Sequence, residues 1–318
     1  MRVLSRRLPA LAAAAALAAA CAACGSSQAT SSTASAAASS AGSFPTTVTA
    51  ANGHVRIGSR PTAIISLSPT STEMLYAIGA GSQVKAVDSD SDYPPQAPMT
   101  KLSGFQPNVE AIVGYKPDLV VVDGNTGGLI KSLAAFKIPV LELPAAAKLS
   151  DVYAQLDELG RATGHLAQAE RENARLRSQL ARIAAAAPHH TAPLTYYYEL
   201  DQTYYSVTSD TFVGQLLHLL GMKSIADTAT GAAAAGGYPQ LSPEFIIKAN
   251  PDYIILADTV CCHQSAATVA GRSGWSGLTA VKDGHIIALN DDIASRWGPR
   301  ITDLLQTVET AITKGEGT

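Results

Sequence analysis

Residues 108–123 read NVEAIVGYKPDLVVVD, and residues 242–256 read SPEFIIKANPDYIIL. In both stretches a Glu precedes a Pro by seven residues, and Pro-Asp opens an apolar run. Asn108 and Ser242 are favourable N-caps, and a Glu in the first turn suits the helix dipole. The Pro ends the short helix, and the apolar run after it is typical of a buried parallel strand. The two stretches therefore predict one helix–strand unit that occurs twice, once in each half of the chain.

Strands and helices alternate along the rest of the chain, which predicts an α/β protein with parallel sheets. Thr70 and Glu73 have the spacing of a capping box, so we expect a helix to begin there. Residues 150–187 contain no Pro and predict one long helix, with a break at 160–164 as the alternative. The other predicted strands are residues 63–67, 84–87, 138–143, 194–198 and 285–289, and the other predicted helices are residues 128–136, 211–220 and 299–313.

The N-terminus has the features of an export signal. Its first seven residues contain three Arg, and an Ala/Leu-rich stretch follows that is too short to span a bilayer comfortably. Small residues precede Cys24 and Gly-Ser-Ser follows it, as in a lipobox. We therefore expect lipidation at Cys24 and an exported protein anchored to the outer face of the cell membrane. Cys21 as the lipidated residue, or an ordinary cleaved signal peptide, are the alternatives.

This reading predicts a division of the chain into five parts. A Ser/Ala/Thr-rich composition without charge cannot bury a core and favours a flexible tether. The predicted parts are a lipoprotein signal peptide (1–23), the tether (24–52), an N-terminal lobe (53–148), a connecting helix (149–187) and a C-terminal lobe (188–318).

Composition and motifs argue against several functional classes. A net charge of −3 over 318 residues offers no basic surface for nucleic acid. The sequence contains no Walker A motif, no nucleophile elbow and no metalloprotease histidine pair. We therefore predict neither catalytic residues, nor a cofactor, nor a resident metal. Cys261 and Cys262 leave two readings open, a vicinal disulfide or a metal site with His263.

Aromatic residues on loops indicate a binding cleft. In the Tyr-rich stretch 196–205, strand alternation places some side chains in the core, and a short loop brings Tyr204 or Tyr205 to the carboxyl end of the strand. Phe105 and Tyr238 also lie in Pro/Gly-rich loops, which favours a bulky, partly apolar ligand.

Charged residues add two further candidate sites. Asp292 and Arg296 either offer polar contacts to a ligand or form a helix cap and a surface ion pair. Glu110 and Glu244 are equivalent in the two repeats, and either serve only their helices or form paired docking points for a basic partner.

Residues from about 60 to 315 resemble the substrate-binding proteins of ABC importers for cobalamin and iron complexes. The resemblance rests on Ser-Leu-Ser-Pro at 66–69 with Thr72-Glu73, on the repeated Glu-to-Pro-Asp unit and on the long central helix. It implies two Rossmann-like lobes with parallel sheets joined by a long rigid α-helix. It also implies a monomeric receptor that binds a metal chelate between its lobes and delivers it to a membrane permease driven by a cytoplasmic ATPase.

The resemblance also assigns roles to individual residues. Glu110 and Glu244 match the acids that meet permease arginines. It implies that Phe105, Tyr205 and Tyr238 are aromatic contacts to the ligand, and that Asp292 and Arg296 are polar contacts. Asp90 and Asp123 are also implied cleft positions. Asp90 stands where cobalamin binders have a Tyr, and Asp123 stands where they have a Trp.

Cobalamin is the favoured ligand on this reading. The Asp substitutions make the cleft less aromatic and more acidic. An anionic catecholate siderophore requires several basic residues, and only Arg296 and Arg272 are apparent. Haem, which a tyrosine can ligate, and neutral ferric hydroxamates are the alternatives within the family. An exported lipid-anchored enzyme or interaction module is the alternative of a different class.

Overall fold

Two parallel β-sheets form in the part of the chain that the computed structural model describes, residues 43–315. The predicted signal peptide, the lipidation site at Cys24 and most of the predicted tether lie outside these residues. None of the helices within residues 43–315 has both the length and the apolar composition that crossing a membrane requires.

The first sheet has the strand order β5-β4-β3-β6-β7, and all of its described pairs are parallel. The two central strands, β3 and β6, are buried along their whole length, as their apolar sequences predict. We call this sheet and its helices the first lobe. Its strands are β3 (Ile64–Leu67), β4 (Val84–Asp88), β5 (Met99–Leu102), β6 (Leu119–Val122) and β7 (Val140–Glu142), and its helices are α1 (Pro69–Ala77), α2 (Val109–Gly114) and α3 (Leu129–Ala135).

The second sheet has the strand order β11-β10-β8-β9, again with parallel pairs throughout the described part. We call this sheet and its helices the second lobe, and the α/β class with two parallel-sheet lobes is thereby confirmed. Its strands are β8 (Leu194–Glu199), β9 (Met222–Ser224), β10 (Tyr253–Leu256) and β11 (Ile286–Ala288), and its helices are α6 (Phe212–His218), α7 (Pro243–Ala249), α8 (Ala266–Ala270), α9 (Thr279–Lys282), α10 (Asp291–Ser295) and α11 (Ile301–Gly315).

The repeated Glu-to-Pro-Asp unit folds as predicted and also explains its aspartates. Asp118 accepts hydrogen bonds from the backbone N–H groups of Thr62 (2.7 Å) and Ala63 (2.9 Å). Asp252 accepts from the backbone N–H and the hydroxyl of Thr195, both at 2.7 Å. Each aspartate thus fixes the start of the neighbouring central strand of its own sheet.

A single hydrophobic core connects the lobes. Ile64 and Val121 of the first sheet and Tyr196 and Tyr198 of the second belong to the same buried cluster. Alternate residues of the same strands, such as Tyr197, face a separate cluster on the far side of their sheet. The three tyrosines 196–198 therefore alternate between the two faces of their sheet, and each sheet has one face on the shared core.

The prediction of one long helix over 150–187 is wrong, and the alternative of a break is correct. Two helices form instead, α4 (Leu149–Thr163) and α5 (Leu166–Ala186). Gly164 ends α4 in the left-handed conformation (φ +77°), which other residues rarely adopt. Asn173 of α5 donates to the backbone of Tyr153 in α4 (2.9 Å), so the helices run antiparallel.

The tether prediction is also wrong at its C-terminal end. Residues 46–57 form an antiparallel hairpin of β1 (Thr46–Ala50) and β2 (Gly53–Ile57), which packs on α4. Val48 is buried in the shared core, and the β-branched residues around it suit a strand. The alternation of buried and exposed residues in this hairpin was missed because the local composition is rich in small polar residues.

The close approach of α4 and α5 gives a testable prediction. A Cβ at Gly160 would lie 2.7 Å from the Cβ of Ala169, whereas a Cβ at Gly114 would meet nothing within 4 Å. Gly160→Ala should therefore lower the free energy of unfolding by about 1 kcal/mol or more, because overpacking outweighs the gain in helix propensity. Gly114→Ala, the matched control, should be neutral or slightly stabilising. Urea unfolding measures both, and equal effects would contradict the packing assigned to Gly160.

Candidate ligand-binding cleft

A cavity of about 330 Å³ opens at the carboxyl ends of the strands of the first sheet. Its walls come from the loops after β3, β4, β5 and β6, and from the segment 292–297 of the second lobe. β3 and β6 are adjacent, but the chain leaves them toward opposite edges of the sheet. Open α/β sheets bind ligands at such a switch point. The cavity is therefore the candidate ligand-binding cleft, and both lobes contribute to it.

Aspartates dominate the charged lining of this cavity. Asp88, Asp90, Asp123 and Asp292 all line it. Burial raises the pKa of Asp88 to about 6 and also raises the pKa of Asp123 and Asp292. Asp88 Oδ1 is buried and has no hydrogen-bond partner among residues 43–315. The lining therefore offers hydrogen-bond acceptors and negative charge to a ligand.

Arg296 is the arginine in the cavity lining, and acidic groups surround its guanidinium. One nitrogen, Nη2, donates to Asp292 (2.6 Å), to Asp92 (3.0 Å) and to the backbone oxygen of Asp90 (2.9 Å). The other, Nη1, donates to Glu73 at 3.0 Å. Only 8% of the Arg296 side chain is exposed. Its charge is compensated within the protein, so it does not provide an unpaired positive charge for an anionic ligand.

Glu73 holds a second arginine from the other lobe. Arg300 donates through Nε to Glu73 Oε2 (2.9 Å) and through Nη2 to Oε1 (2.5 Å). The Arg300 guanidinium also stacks over the Tyr93 ring, 4.2 Å from its centroid. Glu73 belongs to α1 of the first lobe and its side chain is 2% exposed. We call Glu73 with Arg296 and Arg300 the interlobe ion cluster.

The capping-box prediction for Glu73 is therefore wrong. The N-cap of α1 is Ser68, whose hydroxyl accepts from the N–H of Ser71, and Pro69 occupies the first helical turn. This places Glu73 two residues further into the helix than a capping-box acid. Its carboxylate contacts Arg296 and Arg300 instead. These arginines lie more than 220 positions further along the chain, so local spacing in the sequence does not reveal the contact.

The structure brings five of the seven residues predicted for ligand binding to one cavity. Phe105 projects there with 78% of its surface exposed. Tyr205 and Tyr238 do not line this cavity. They lie in the second lobe, near the bridge between Tyr205 and Gln240, and are 41% and 44% exposed. The five that share the cavity are Asp90, Phe105, Asp123, Asp292 and Arg296.

The sequence analysis did not predict a buried ion pair at the end of β8. Arg272 donates two hydrogen bonds to Glu199, at 2.5 and 2.6 Å, and stacks over Trp275 at 4.6 Å. Asp258 lies beside this pair, where burial and then the Glu199 charge raise its pKa to about 7. The one signal in the sequence was the position of Glu199, an acidic residue directly after three tyrosines of a buried strand. Arg272, one of two candidate cleft cations, is thus already paired.

The two acids predicted for docking occupy matched surface positions. Glu110 and Glu244 are both exposed and lie in the first turns of α2 and α7. A backbone hydrogen bond and the Ser242 hydroxyl lower the pKa of Glu244, which therefore stays ionised at neutral pH. Within the described residues, no group of three or more His, Cys, Asp or Glu side chains is arranged to hold a metal ion.

A family model described as periplasmic binding protein matches residues 64–293. The chain belongs to this family. It is therefore a solute-binding protein that works outside the cytoplasm, and not an enzyme. The resemblance drawn from the sequence is confirmed.

Named relatives and a solved structure agree with this assignment. The ABC transporter substrate-binding lipoprotein YvrC of Bacillus subtilis, itself uncharacterized, is 30% identical over 85% of this chain and 86% of its own. A vitamin B12-binding protein of Pectobacterium atrosepticum is 32% identical over 76% of this chain and 85% of its own. The crystal structure of a periplasmic solute-binding protein from Staphylococcus epidermidis matches with a TM-score of 0.69 at 26% identity, over 80% of this chain and 99% of that one.

The interlobe ion cluster predicts a large stability effect at Glu73. Glu73→Gln should lower the free energy of unfolding by about 3 kcal/mol, because it leaves two buried arginines short of a counter-charge. Asp92→Asn is the matched control, since it removes a 54% exposed carboxylate from the same Arg296. It should cost less than about 1 kcal/mol. Losses of equal size in urea unfolding would contradict the role assigned to Glu73.

Asp88 predicts a pH-dependent stability difference. Its pKa of about 6 in the folded protein lies above the usual value of 3.8, so the folded state holds this proton more tightly. Ionisation therefore costs stability as the pH rises through 6. Asp88→Asn should match the wild type near pH 4 and exceed its free energy of unfolding by about 2 kcal/mol at pH 8. A difference that is constant across this pH range would rule the shift out.

Proposed function

We propose that this protein is a lipid-anchored receptor of an ABC importer that binds cobalamin between its lobes and delivers it to a membrane permease. The observation that carries the proposal is the acid-lined cavity, whose arginine is already neutralised by Glu73, Asp92 and Asp292. The vitamin B12-binding and cobalamin-binding relatives support the same ligand.

Ligand charge separates cobalamin from the alternatives. The periphery of a corrinoid carries amide groups, whose N–H donors match the carboxylate acceptors of Asp90 and Asp123. Haem carries two carboxylates and catecholate siderophores are strongly anionic, so both would meet like charge in this cavity. The acidic lining therefore favours an amide-bearing or cationic chelate.

The tyrosines further weaken the haem alternative. Tyr196, Tyr197 and Tyr198 are fully buried and cannot reach a ligand in the cleft. Tyr205 and Tyr238 are exposed but do not line the cavity. Neither of these two residues could supply an axial phenolate in the cavity without a rearrangement.

Lipid anchoring at Cys24 forms part of the proposal. The lipobox-like sequence around Cys24 supports it, and the relative YvrC is itself named a lipoprotein. With residue 24 acylated, the chain up to the β1–β2 hairpin would act as the tether.

Delivery is proposed to use Glu110 and Glu244. Both acids are exposed, each is the first-turn acid of its helix, and the two helices are the matched copies of the internal repeat. A pair of equivalent charges, one on each lobe, suits a permease with basic residues on both halves, and such contacts speed encounter and set orientation.

Ligand identity is tested by titrating the full chain with cyanocobalamin and following Tyr/Trp fluorescence. We expect saturable quenching with one ligand per chain and a Kd in the micromolar range or below. Phe105→Ala should weaken binding about tenfold, or 1.4 kcal/mol, by removing an exposed ring from the cavity. Phe136→Ala, which alters an exposed Phe outside the cavity, is the matched control. Tighter binding of haemin or of a ferric hydroxamate would overturn the cobalamin assignment.

Docking is tested by charge reversal. Glu110→Lys with Glu244→Lys should abolish cobalamin uptake by cells and leave the affinity of the purified protein unchanged. Glu170→Lys with Asp283→Lys, two exposed acids outside α2 and α7, makes the same change in net charge and is the matched control. Loss of ligand affinity in the double variant, or normal uptake, would refute the docking role.

A further inference from the structure

Two adjacent thiols occupy the loop that follows β10. Cys261 is exposed and Cys262 is half-buried, and their Sγ atoms are 2.6 Å apart. This separation is well inside the contact distance of two non-bonded sulfur atoms. The loop therefore holds the pair in position for a bond between them.

Asp291 ties this loop to the wall of the cavity. Its carboxylate accepts from the backbone N–H of Cys261 (2.7 Å) and of Val260 (2.9 Å). Asp291 is also the first residue of α10, and the next residue, Asp292, lines the cavity and pairs with Arg296. Asp291 therefore joins the loop at Cys261 directly to α10.

The surroundings favour thiol redox chemistry over metal binding. Although His263 follows the pair, the described residues contain no cluster of three or more candidate ligands. The family works outside the cytoplasm, where thiols meet oxidising conditions. The exposure of Cys261 gives small oxidants access.

We propose that Cys261 and Cys262 form a redox modification site that closes to a vicinal disulfide and thereby loosens α10 at the cavity wall. The oxidant is a small-molecule disulfide. The thiolate of one cysteine attacks it, forms a mixed disulfide and releases one thiolate. The second cysteine then attacks the mixed disulfide, closes the Cys261–Cys262 bond and releases the second small thiol. One disulfide is reduced for each one formed, so electrons and protons balance.

The environment of Cys261 favours its protonated form. The hydrogen bond with Cys262 and the Asp291 carboxylate raise the pKa of the Cys261 thiol. Either cysteine can make the first attack once it is deprotonated, and its neighbour then resolves the mixed disulfide.

Closure is tested on the full chain in buffers of graded oxidised to reduced glutathione. Tryptic peptide 249–272 contains Cys261 and Cys262 and no other cysteine. On oxidation it should lose the mass of two hydrogen atoms and resist alkylation, and both changes should reverse with a reductant. Cys261→Ser and Cys262→Ser should each stop at a glutathione adduct on the remaining cysteine. Two alkylatable thiols at every ratio, or a persistent adduct in the wild type, would overturn the proposal.

The link to the cavity is tested by hydrogen exchange, which needs no bound ligand and is therefore independent of the proposed function. In the oxidised wild type the amides of Val260, Cys261 and α10 should exchange severalfold faster than in the reduced form, because ring closure turns the Cys261 N–H away from Asp291. The variant carrying Cys261→Ser and Cys262→Ser should show no response to oxidant. Unchanged exchange in an oxidised wild type would overturn the coupling to α10.

Discussion

The carboxylate of Glu73 is the constraint on which the cleft depends. A buried charge is tolerated only when it is paired, and Glu73 receives three hydrogen bonds from Arg296 and Arg300. Because α1 carries the acid and the segment before α11 carries both arginines, satisfying this charge fixes the two lobes against each other. The same pairing neutralises the positive charge of Arg296, so the remaining charged lining of the cavity is acidic. Geometry and ligand preference thus have a common electrostatic origin.

Apolar packing supports the same arrangement over a larger area. The core shared by both sheets also contains Leu156 of α4, Leu176 of α5 and Leu305 of α11. Because α11 packs on α5, the end of the second lobe is held beside the helices that precede it. A continuous core of this kind resists large lobe movements, so we expect the cavity to be largely formed before a ligand arrives.

The sequence predicted the elements whose signals are local. The N-caps Asn108 and Ser242, the helix-ending Pro residues and the apolar strands all lie within short windows, and the structure has them where the patterns indicated. The hairpin at 46–57 was missed because a composition of small polar residues masks its alternation. The short strands β5 and β9 and the helices α8 to α10 were missed because a few residues leave too little periodicity.

Contacts between side chains far apart in the sequence are the part of the site that could not be predicted. Asp90, Phe105 and Asp123 follow strands whose carboxyl ends meet by topology, so the α/β pattern together with the family resemblance was enough to group them. The contacts of Glu73 with Arg300 and of Glu199 with Arg272 join residues that are 227 and 73 positions apart, and no spacing rule connects them. The same limit applies to Tyr205 and Tyr238, which were assigned to the cleft from their loop positions and by resemblance, and which lie outside its cavity.

A crystal structure of the protein with bound cobalamin tests the central claim most directly. The account predicts a corrinoid between the lobes at the acid-lined cavity, in contact with Phe105, with its amides donating to cavity aspartates. Glu73 should still be paired with Arg296 and Arg300 in that complex. A ligand bound elsewhere, or an Arg296 that has left Glu73 to contact the ligand, would contradict it.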